Sequence, residues 1–374
     1  ILPQLNIDGK GFNYGRSIGP YGDSAFMEIL TAAANAGILT EQEKNIAYAF
    51  IYKVSHRYAS FWYDPTLPTP SINMWVKGRG TDAYRGKARA LGENFSMLHQ
   101  HLYVSNWWDK LGFEYKAPIS DSAFQSWLDT TQPRVKLTWH DTAHPYNAAL
   151  VTVRDKKRIL NLNLNQAPDY NHFTPYFAVP FADNLIYGTT DKSYPLLVPQ
   201  ITYNGKSYLP VTYYQNLSVQ EAAGVVTVTF DTTKFRLNAK NPASSTDLDV
   251  KTHTVIKFVN GAITRTDTLS SPTLTGNATV MTDFTSFATL KNAAVGSDGY
   301  SVTYSNSDVT GYQVSGFNSC ALSDFSTGSA GTQNADSTTP IGQLNSKFSC
   351  TTNPFPLSQS GSKFSWTVKY KDLP

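Results

Sequence analysis

Residues 73–109 carry side chains that could hold an anion and transfer protons. From Asp82 onward, apolar residues recur in steps of three and four, which predicts an α-helix with one buried face. A neighbouring face of this predicted helix carries guanidinium, imidazole and phenol groups, at Arg85, Arg89, Ser96, His99 and Tyr103. The alternative is a core helix whose basic face is only solvated, with Arg85 and Arg89 paired to carboxylates at helical spacing.

A second group of polar residues lies where the helical pattern gives way to strands. Residues 138–150 include His140, Asp141, His144 and Asn147. Because ligand sites favour clefts between domains, both histidines are candidates for substrate contact or proton transfer. Plain hydrogen bonding between domains is the alternative. The spacing is not a recognised zinc pattern and cysteines are absent nearby, so no metal is expected.

The elements that precede these groups read as helices. A helix is predicted from about Asp23, with Gly37 as its C-terminal stop. Thr40 and Glu43 form a capping box for a second helix, which the short break makes antiparallel to the first. A further short helix is predicted over 120–128, so the N-terminal part of the chain is helical.

After Pro133 the pattern changes to short alternating or β-branched segments separated by turns. Asn204-Gly205 and Asn260-Gly261 are strong hairpin signals. A Ser/Thr/Gly-rich stretch over 319–340 reads as a loop. This pattern predicts a large antiparallel β-sheet structure for the remainder of the chain.

Length and charge narrow the possible functions. The chain has 374 residues, enough for two or three domains, and its formal net charge of +3 is low for a nucleic-acid binder. No apolar run approaches the ~18 residues of a membrane helix, so a soluble protein with no membrane partner is expected. Abundant aromatic, Ser, Thr and Asn residues are typical of extracellular proteins that handle sugars. The start at Ile1 indicates a mature, processed and secreted product.

The two cysteines and the glycosylation motifs fit the same compartment. Cys320 and Cys350 are predicted to form a disulfide, which would stabilise the fold by roughly 3–4 kcal/mol through closure of a loop. Motifs for N-glycosylation stand at Asn94, Asn216 and Asn277. Because Asn94 lies within a predicted helix, Asn216 and Asn277 are the expected glycosylation sites.

Residues 12–23, FNYGRSIGPYGD, contain a Gly-Arg-Ser-Ile element that resembles one in polysaccharide lyases of the hyaluronate and chondroitin type. Those lyases join an (α/α) toroid of helical hairpins to a C-terminal antiparallel β-sandwich. The resemblance implies a multidomain α plus β fold, with a helical-hairpin domain that is a partial α/α toroid over 1–132 and a large antiparallel β-sandwich over 133–374. It also implies that Arg16 lies in a substrate cleft.

The implied reaction is β-elimination in a uronic-acid-containing polysaccharide, without a cofactor. Arg or Asn side chains neutralise the uronate carboxylate while Tyr or His removes the C5 proton and protonates the leaving oxygen. The catalytic candidates are Tyr14 and His144. The substrate-binding candidates are Asn13, Arg16, Arg79, Arg85, Arg89, His99 and His140.

Three explanations remain open because only fifteen residues precede Arg16, whereas the catalytic His and Tyr of such lyases lie upstream of this element. The chain could be the C-terminal portion of a cleaved precursor whose N-terminal fragment is its partner. Its base could come from elsewhere in the chain. It could instead be a non-catalytic extracellular glycan-binding or structural protein, or a glycoside hydrolase with two carboxylates across a cleft.

Overall fold

A computed structural model describes eleven parts of the chain: residues 2, 5, 20–62, 103–141, 148–164, 197–210, 214–238, 244–286, 288–324, 346–357 and 361–372. The Gly-Arg-Ser-Ile element and most of the predicted Arg/His/Tyr helix lie outside these residues. Within them, no helix combines the length and the apolar character that a membrane crossing requires.

The described α-helices all lie before residue 132. Helix α1 spans Pro20–Asn35, α2 spans Glu41–Trp62, residues 103–110 are helical, and α3 spans Asp121–Thr131. The capping box is confirmed, since the Thr40 N–H donates to Glu43 Oε2 at 2.9 Å and the Glu43 N–H donates to Thr40 Oγ1 at 3.2 Å. Gly37, at φ +68°, ends the α1 region as expected.

The helices enclose a small aromatic core. Trp108 is fully buried, and its Nε1–H donates to Thr31 Oγ1 of α1 at 2.8 Å. Tyr48 of α2 contacts the ring of Trp108 at 5.2 Å, and Phe124 of α3 is also fully buried in this cluster. These contacts hold α1, α2, α3 and the helical residues 103–110 together as one packed unit.

Eighteen strands are described in three antiparallel sheets. Strands β1 to β3 form one sheet, and their bounds are Val135–Asp141, Ala148–Asp155 and Arg158–Leu164. A second sheet has the order β12-β13-β14-β18-β10-β9-β7-β6. Its strands, in chain order, are β6 Gln215–Ala222, β7 Val225–Thr232, β9 Lys251–Val259, β10 Ala262–Ser270, β12 Ala293–Val295, β13 Ser301–Tyr304, β14 Val309–Ser315 and β18 Ser362–Tyr370.

The third sheet has the order β15-β16-β11-β4-β5-β8, with β17 paired to β11. Its strands are β4 Gln200–Tyr203, β5 Lys206–Pro210, β8 Phe235–Leu237, β11 Asn277–Ser286, β15 Ser319–Asp324, β16 Ser346–Thr351 and β17 Phe355–Pro356. The two predicted hairpin turns join β4 to β5 and β9 to β10, with Gly205 and Gly261 at positive φ.

One apolar core joins the three sheets. Phe284 of β11 contacts Tyr312 of β14 at 4.6 Å and Trp366 of β18 at 6.1 Å, so the second and third sheets face each other. Val151 and Leu162 of the three-stranded sheet are fully buried in the same core. Alternate residues along β7, β9, β10 and β18 point into this core, and the intervening residues point to solvent.

The predicted fold class is wrong in its N-terminal part. The described residues are mostly antiparallel sheet, and their helices do not form an α/α toroid. A capping box and a glycine stop specify a helical hairpin locally, whereas a toroid requires further hairpins packed side by side around a ring. Here α1 and α2 pack instead around Trp108 and α3. The division at residues 132 and 133 stays a prediction, with α3 ending at Thr131 and β1 beginning at Val135.

The predicted disulfide is confirmed between Cys320 of β15 and Cys350 of β16. The two residues are direct partners in the antiparallel register, with their Cα atoms 4.1 Å apart. The prediction of a loop over 319–340 is wrong at its start, because residues 319–324 form β15. Ser and Thr there alternate with Cys320 and Leu322 and suit an edge strand.

Buried tyrosines make the fold sensitive to alkaline pH. Burial raises the pKa of Tyr304 and of Tyr312, so both phenols keep their protons in the native state when they would ionise in the unfolded chain. Above about pH 10 the unfolded state therefore binds fewer protons than the native state, and the free energy of unfolding falls with pH.

We expect the decline in the free energy of unfolding above about pH 10 to be shallower in Tyr312→Phe by up to about 1.4 kcal/mol per pH unit. Urea denaturation at several pH values measures this decline. Tyr103→Phe is the matched control, since Tyr103 is 55% exposed. If the free energy of unfolding fell with pH equally steeply in Tyr312→Phe and in the wild type, burial of Tyr312 would not be a cause of that fall.

Candidate anion-binding site

A cleft of about 430 Å³ lies where α3 meets the turns of two sheets. The residues around it come from α3, from the link between α3 and β1, from β2, and from the turns that follow β2, β6 and β9. They are Leu128, Asp129, Gln132, Arg134, Arg154, Asp155, Lys156, Gly224 and Asn260. Three cationic side chains and two carboxylates therefore surround one volume of solvent.

The two-residue turn between β2 and β3 presents Lys156 to this cleft. Asp155 and Arg158 are partners at the end of the β2–β3 ladder, and Lys156 and Lys157 form the turn. Lys156 has a positive φ of 55° and is exposed. A left-handed conformation is unfavourable for a residue with a Cβ atom, so the turn must be held by its surroundings.

Buried hydrogen bonds hold this turn against the end of the eight-stranded sheet. Asp155 is 4% exposed, and its Oδ2 accepts from the Gly261 N–H at 2.8 Å and from Tyr370 Oη at 2.5 Å. Arg158 is 3% exposed, and its Nε donates to the Lys371 carbonyl at 2.6 Å. The turn is therefore fixed from both of its ends, by Gly261 of the β9–β10 turn and by residues at the end of β18.

The two arginines of the cleft are held by backbone carbonyls. Arg134 Nη1 donates to the Gly224 carbonyl at 2.5 Å and lies 3.6 Å from Glu221 Oε1. Arg154 is 6% exposed and its Nη2 donates to the Leu5 carbonyl at 2.8 Å. Burial lowers the pKa of Arg154 to about 10, and the nearby charge of Asp129 opposes that shift. At neutral pH the Arg154 guanidinium is therefore charged.

The two carboxylates that line the cleft offset part of this positive charge but not all of it. Asp155 already accepts two hydrogen bonds within the sheet junction, and Asp129 accepts from Gln125 Nε2 at 2.8 Å. Three cations and two carboxylates line the cleft, so its lining carries one net positive charge, which suits a carboxylate or sulfate group. Glu221, outside this lining, pairs with Arg134 and offsets part of the charge of that arginine.

Tyr370 is the phenol next to this network, and it keeps its proton. Burial raises its pKa, and the hydrogen bond to Asp155 and the charge of Asp155 raise it further. Tyr370 is therefore unsuited to act as a base at neutral pH. Within the described residues, no cluster of His, Cys, Asp and Glu is arranged to hold a metal ion.

Most of the predicted site residues lie outside the described residues, namely Asn13, Tyr14, Arg16, Arg79, Arg85, Arg89, His99 and His144. The exception is His140, whose backbone pairs with Ala149 in the β1–β2 ladder. Arg134 immediately precedes the opposite end of β1, six residues or roughly 20 Å away at about 3.4 Å per residue. The structure thus separates His140 from the cleft.

Three cleft residues were missed in the sequence: Arg134, Arg154 and Lys156. One signal could have indicated them, since residues 154–158 read RDKKR within a region otherwise rich in β-branched residues. A charged pentapeptide between two apolar strands is also the ordinary composition of an exposed turn. Only the packing of that turn against β10 and β18 distinguishes it.

The two predicted glycosylation sites are both exposed. Asn216 has a positive φ of 55°, and its Nδ2 donates to Asp231 Oδ2 at 2.7 Å. Asn277 begins β11 and is exposed. Exposure is the condition that a glycan requires, and modification of either residue stays a prediction.

Comparisons with known proteins give weak structural similarities and no match in sequence. No protein-family model matches the chain, and no curated protein sequence matches it. The structure is similar to that of a mutant heparan sulfate lyase HepC from Pedobacter heparinus, with a TM-score of 0.43 and 11% identity over 99% of this chain and 54% of that chain. It is also similar to 4-alpha-glucanotransferase from Thermococcus litoralis, with a TM-score of 0.30 and 10% identity over 96% of this chain and 56% of that chain. The chain spans little more than half the length of either protein.

Asp155→Ala should destabilise the fold strongly, because it leaves the Gly261 N–H and the Tyr370 hydroxyl without their buried acceptor. We expect a loss of about 3 kcal/mol or more in the free energy of unfolding, against about 1–2 kcal/mol for Tyr370→Phe, which removes one of the two bonds. Urea denaturation at neutral pH measures both.

Asp298→Ala is the matched control for this comparison. Asp298 Oδ1 also accepts two hydrogen bonds, from the Tyr300 N–H at 2.9 Å and from Ser301 Oγ at 3.0 Å, but in an exposed turn. Its removal should cost less than about 1 kcal/mol, because water replaces the lost partner. If Asp155→Ala lowered the free energy of unfolding as little as Asp298→Ala, the contact between the β2–β3 turn and the eight-stranded sheet would not depend on Asp155.

Proposed function

We propose that this protein is a secreted polysaccharide lyase, which cleaves a uronic-acid-containing polysaccharide by β-elimination. The observation that carries the proposal is the net positive cleft between α3 and the sheets, formed by Arg134, Arg154 and Lys156. Its volume of about 430 Å³ is within the usual range for a ligand site and would admit one or two sugar rings. The confirmed disulfide supports an oxidising, extracellular compartment.

In this proposal the cationic groups bind the uronate carboxylate. Removing the C5 proton leaves an enolate-like charge on that carboxylate, and positive groups held in place lower the energy of the charged state. Arg154 suits this role because it is rigidly buried and still protonated at neutral pH. Lys156, on an exposed turn, would make the approach of the anion more favourable.

We assign proton transfer to the two residues that the sequence predicts to be catalytic. Tyr14 would act with His144 as base and acid, and Arg16 with Asn13 would hold a neighbouring carboxylate. The remaining binding candidates Arg79, Arg85, Arg89 and His99 belong to the same proposal, whereas His140 is left out of it because of its distance from the cleft. The N-terminal fragment of a precursor is the proposed partner if these residues do not suffice.

A non-catalytic glycan-binding function is the second candidate, and one observation favours it. The phenol beside the cleft, Tyr370, is held protonated by burial and by Asp155, and His140 lies roughly 20 Å from Arg134. A cleft that binds an anion without a base next to it would retain polysaccharide and leave it uncut.

Incubation with hyaluronate, alginate and chondroitin sulfate, followed by ultraviolet absorbance, separates these candidates. A lyase produces an unsaturated uronate and a rising absorbance. We expect Arg134→Gln with Lys156→Ser to lower kcat/KM at least tenfold, because two of the three cations are lost. Lys206→Ser is the control, as Lys206 is exposed in the β4–β5 hairpin.

Arg16→Ala should abolish turnover while the far-ultraviolet circular dichroism spectrum stays unchanged. Binding of a polysaccharide with a flat absorbance trace would favour the second candidate. Absence of both binding and product across the panel, with mass spectrometry finding a single polypeptide, would overturn the proposed function.

A further inference from the structure

The outer face of the eight-stranded sheet presents a regular polar array to solvent. We define it as the outward residues of β6, β7, β9, β10, β18 and β14. The register aligns one row across these six strands, formed by Gln220, Thr227, Lys257, Thr264, Thr367 and Gln313. At about 4.8 Å between strands, this row extends roughly 24 Å.

Side-chain contacts hold the array in an ordered arrangement. Thr264 Oγ1 and Thr367 Oγ1 are 2.9 Å apart across β10 and β18. In the next row, Ser315 Oγ and Ser365 Oγ are 2.7 Å apart across β14 and β18. The hydroxyl groups are therefore fixed on a rigid sheet. Binding of a ligand to them costs little conformational entropy of the protein.

The charges on this face are predominantly positive. Four lysines point outward from its strands, namely Lys251, Lys257, Lys363 and Lys369, and all four are exposed. Asp231 is the one carboxylate among the outward residues of these six strands, and it accepts hydrogen bonds from Asn216 Nδ2 and contacts His253 Nδ1 at 2.6 Å. The array thus combines hydroxyl groups with cations and little opposing charge.

The outer face is continuous with the candidate site. Gly224, which precedes β7, and Asn260, which follows β9, both line the cleft. Thr227 and Lys257 lie three residues from these positions, or about 10 Å along their strands. Lys369 pairs with Ala262 at the same end of the sheet. A polymer lying across this end of the face would pass beside the cleft.

We propose that the outer face of the eight-stranded sheet is a docking surface for a linear, carboxylate-bearing polysaccharide. This inference rests on the proposed function and names a second contact for the same substrate. The lysines attract the uronate carboxylates, and the Thr, Ser and Gln side chains exchange hydrogen bonds with the sugar hydroxyls. Its outward residues include few apolar groups, chiefly Val225, Val255 and Val259, so a protein partner fits less well.

The triple variant K257S/K363S/K369S tests this surface. Each exposed lysine should contribute only a little to binding, because single ion pairs in water are weak. Removing three of them together should weaken the binding of hyaluronate about tenfold at low salt. The difference from the wild type should shrink as salt is raised, because exposed charges are screened. K116S/K206S/K291S is the matched control, with the same charge change at exposed lysines outside the face.

Substrate length distinguishes this surface from the cleft. A disaccharide matches the one or two sugar rings that the cleft admits, so the triple variant should bind it like the wild type while the KM or Kd for long hyaluronate rises. Equal binding of long hyaluronate by the triple variant and the wild type would overturn the docking surface and leave the proposed function intact. Equal losses in the triple and control variants would also overturn it, because net charge alone would then account for binding.

The proposed function fails under a different result. If Arg134→Gln with Lys156→Ser leaves both turnover and disaccharide binding unchanged, the cleft is not the site, whatever the behaviour of the outer face. Neutral dextran serves as the probe for the hydroxyl array alone. Dextran binding as tight as hyaluronate binding would contradict the role of the lysines.

Discussion

The arrangement of the sheets in this protein depends on the two hydrogen bonds that the Asp155 carboxylate accepts. Its carboxylate joins the β2–β3 turn to the Gly261 N–H of the β9–β10 turn and to Tyr370 at the end of β18. Burying a carboxylate is unfavourable unless its hydrogen-bonding capacity is used. Two donors at this position offset that cost and fix how the three-stranded sheet meets the eight-stranded sheet.

The position of the cleft follows from this junction. Because the turn is fixed at Asp155 and Arg158, Lys156 must face the space between α3 and the end of the large sheet. Arg154 lies just before the turn and is buried beside it, while Arg134 reaches Gly224 from the start of β1. Both guanidinium groups are held by backbone carbonyls, so their positive charge is preorganised before any ligand arrives.

One face of the eight-stranded sheet packs into the core, and its opposite face is exposed to solvent. Ile256, Ile263, Trp366 and their neighbours fill the space against the third sheet, while the alternate positions carry Lys, Thr and Ser outward. The period of two along each strand separates these sets, and the register between strands aligns the outward set into rows. The proposed docking surface and the cleft at its end are thus two results of one strand arrangement.

The sequence by itself determined the local features. Thr40 with Glu43 specified the start of α2, Asn260-Gly261 specified a hairpin, and the alternation in the second half specified strands, since each depends on residues close together in the chain. The toroid was wrong because local helix signals do not set how helices pack. The cleft could not be predicted, because Asp155 meets Tyr370 across 215 positions of the chain, and only tertiary packing brings such residues into hydrogen-bonding distance.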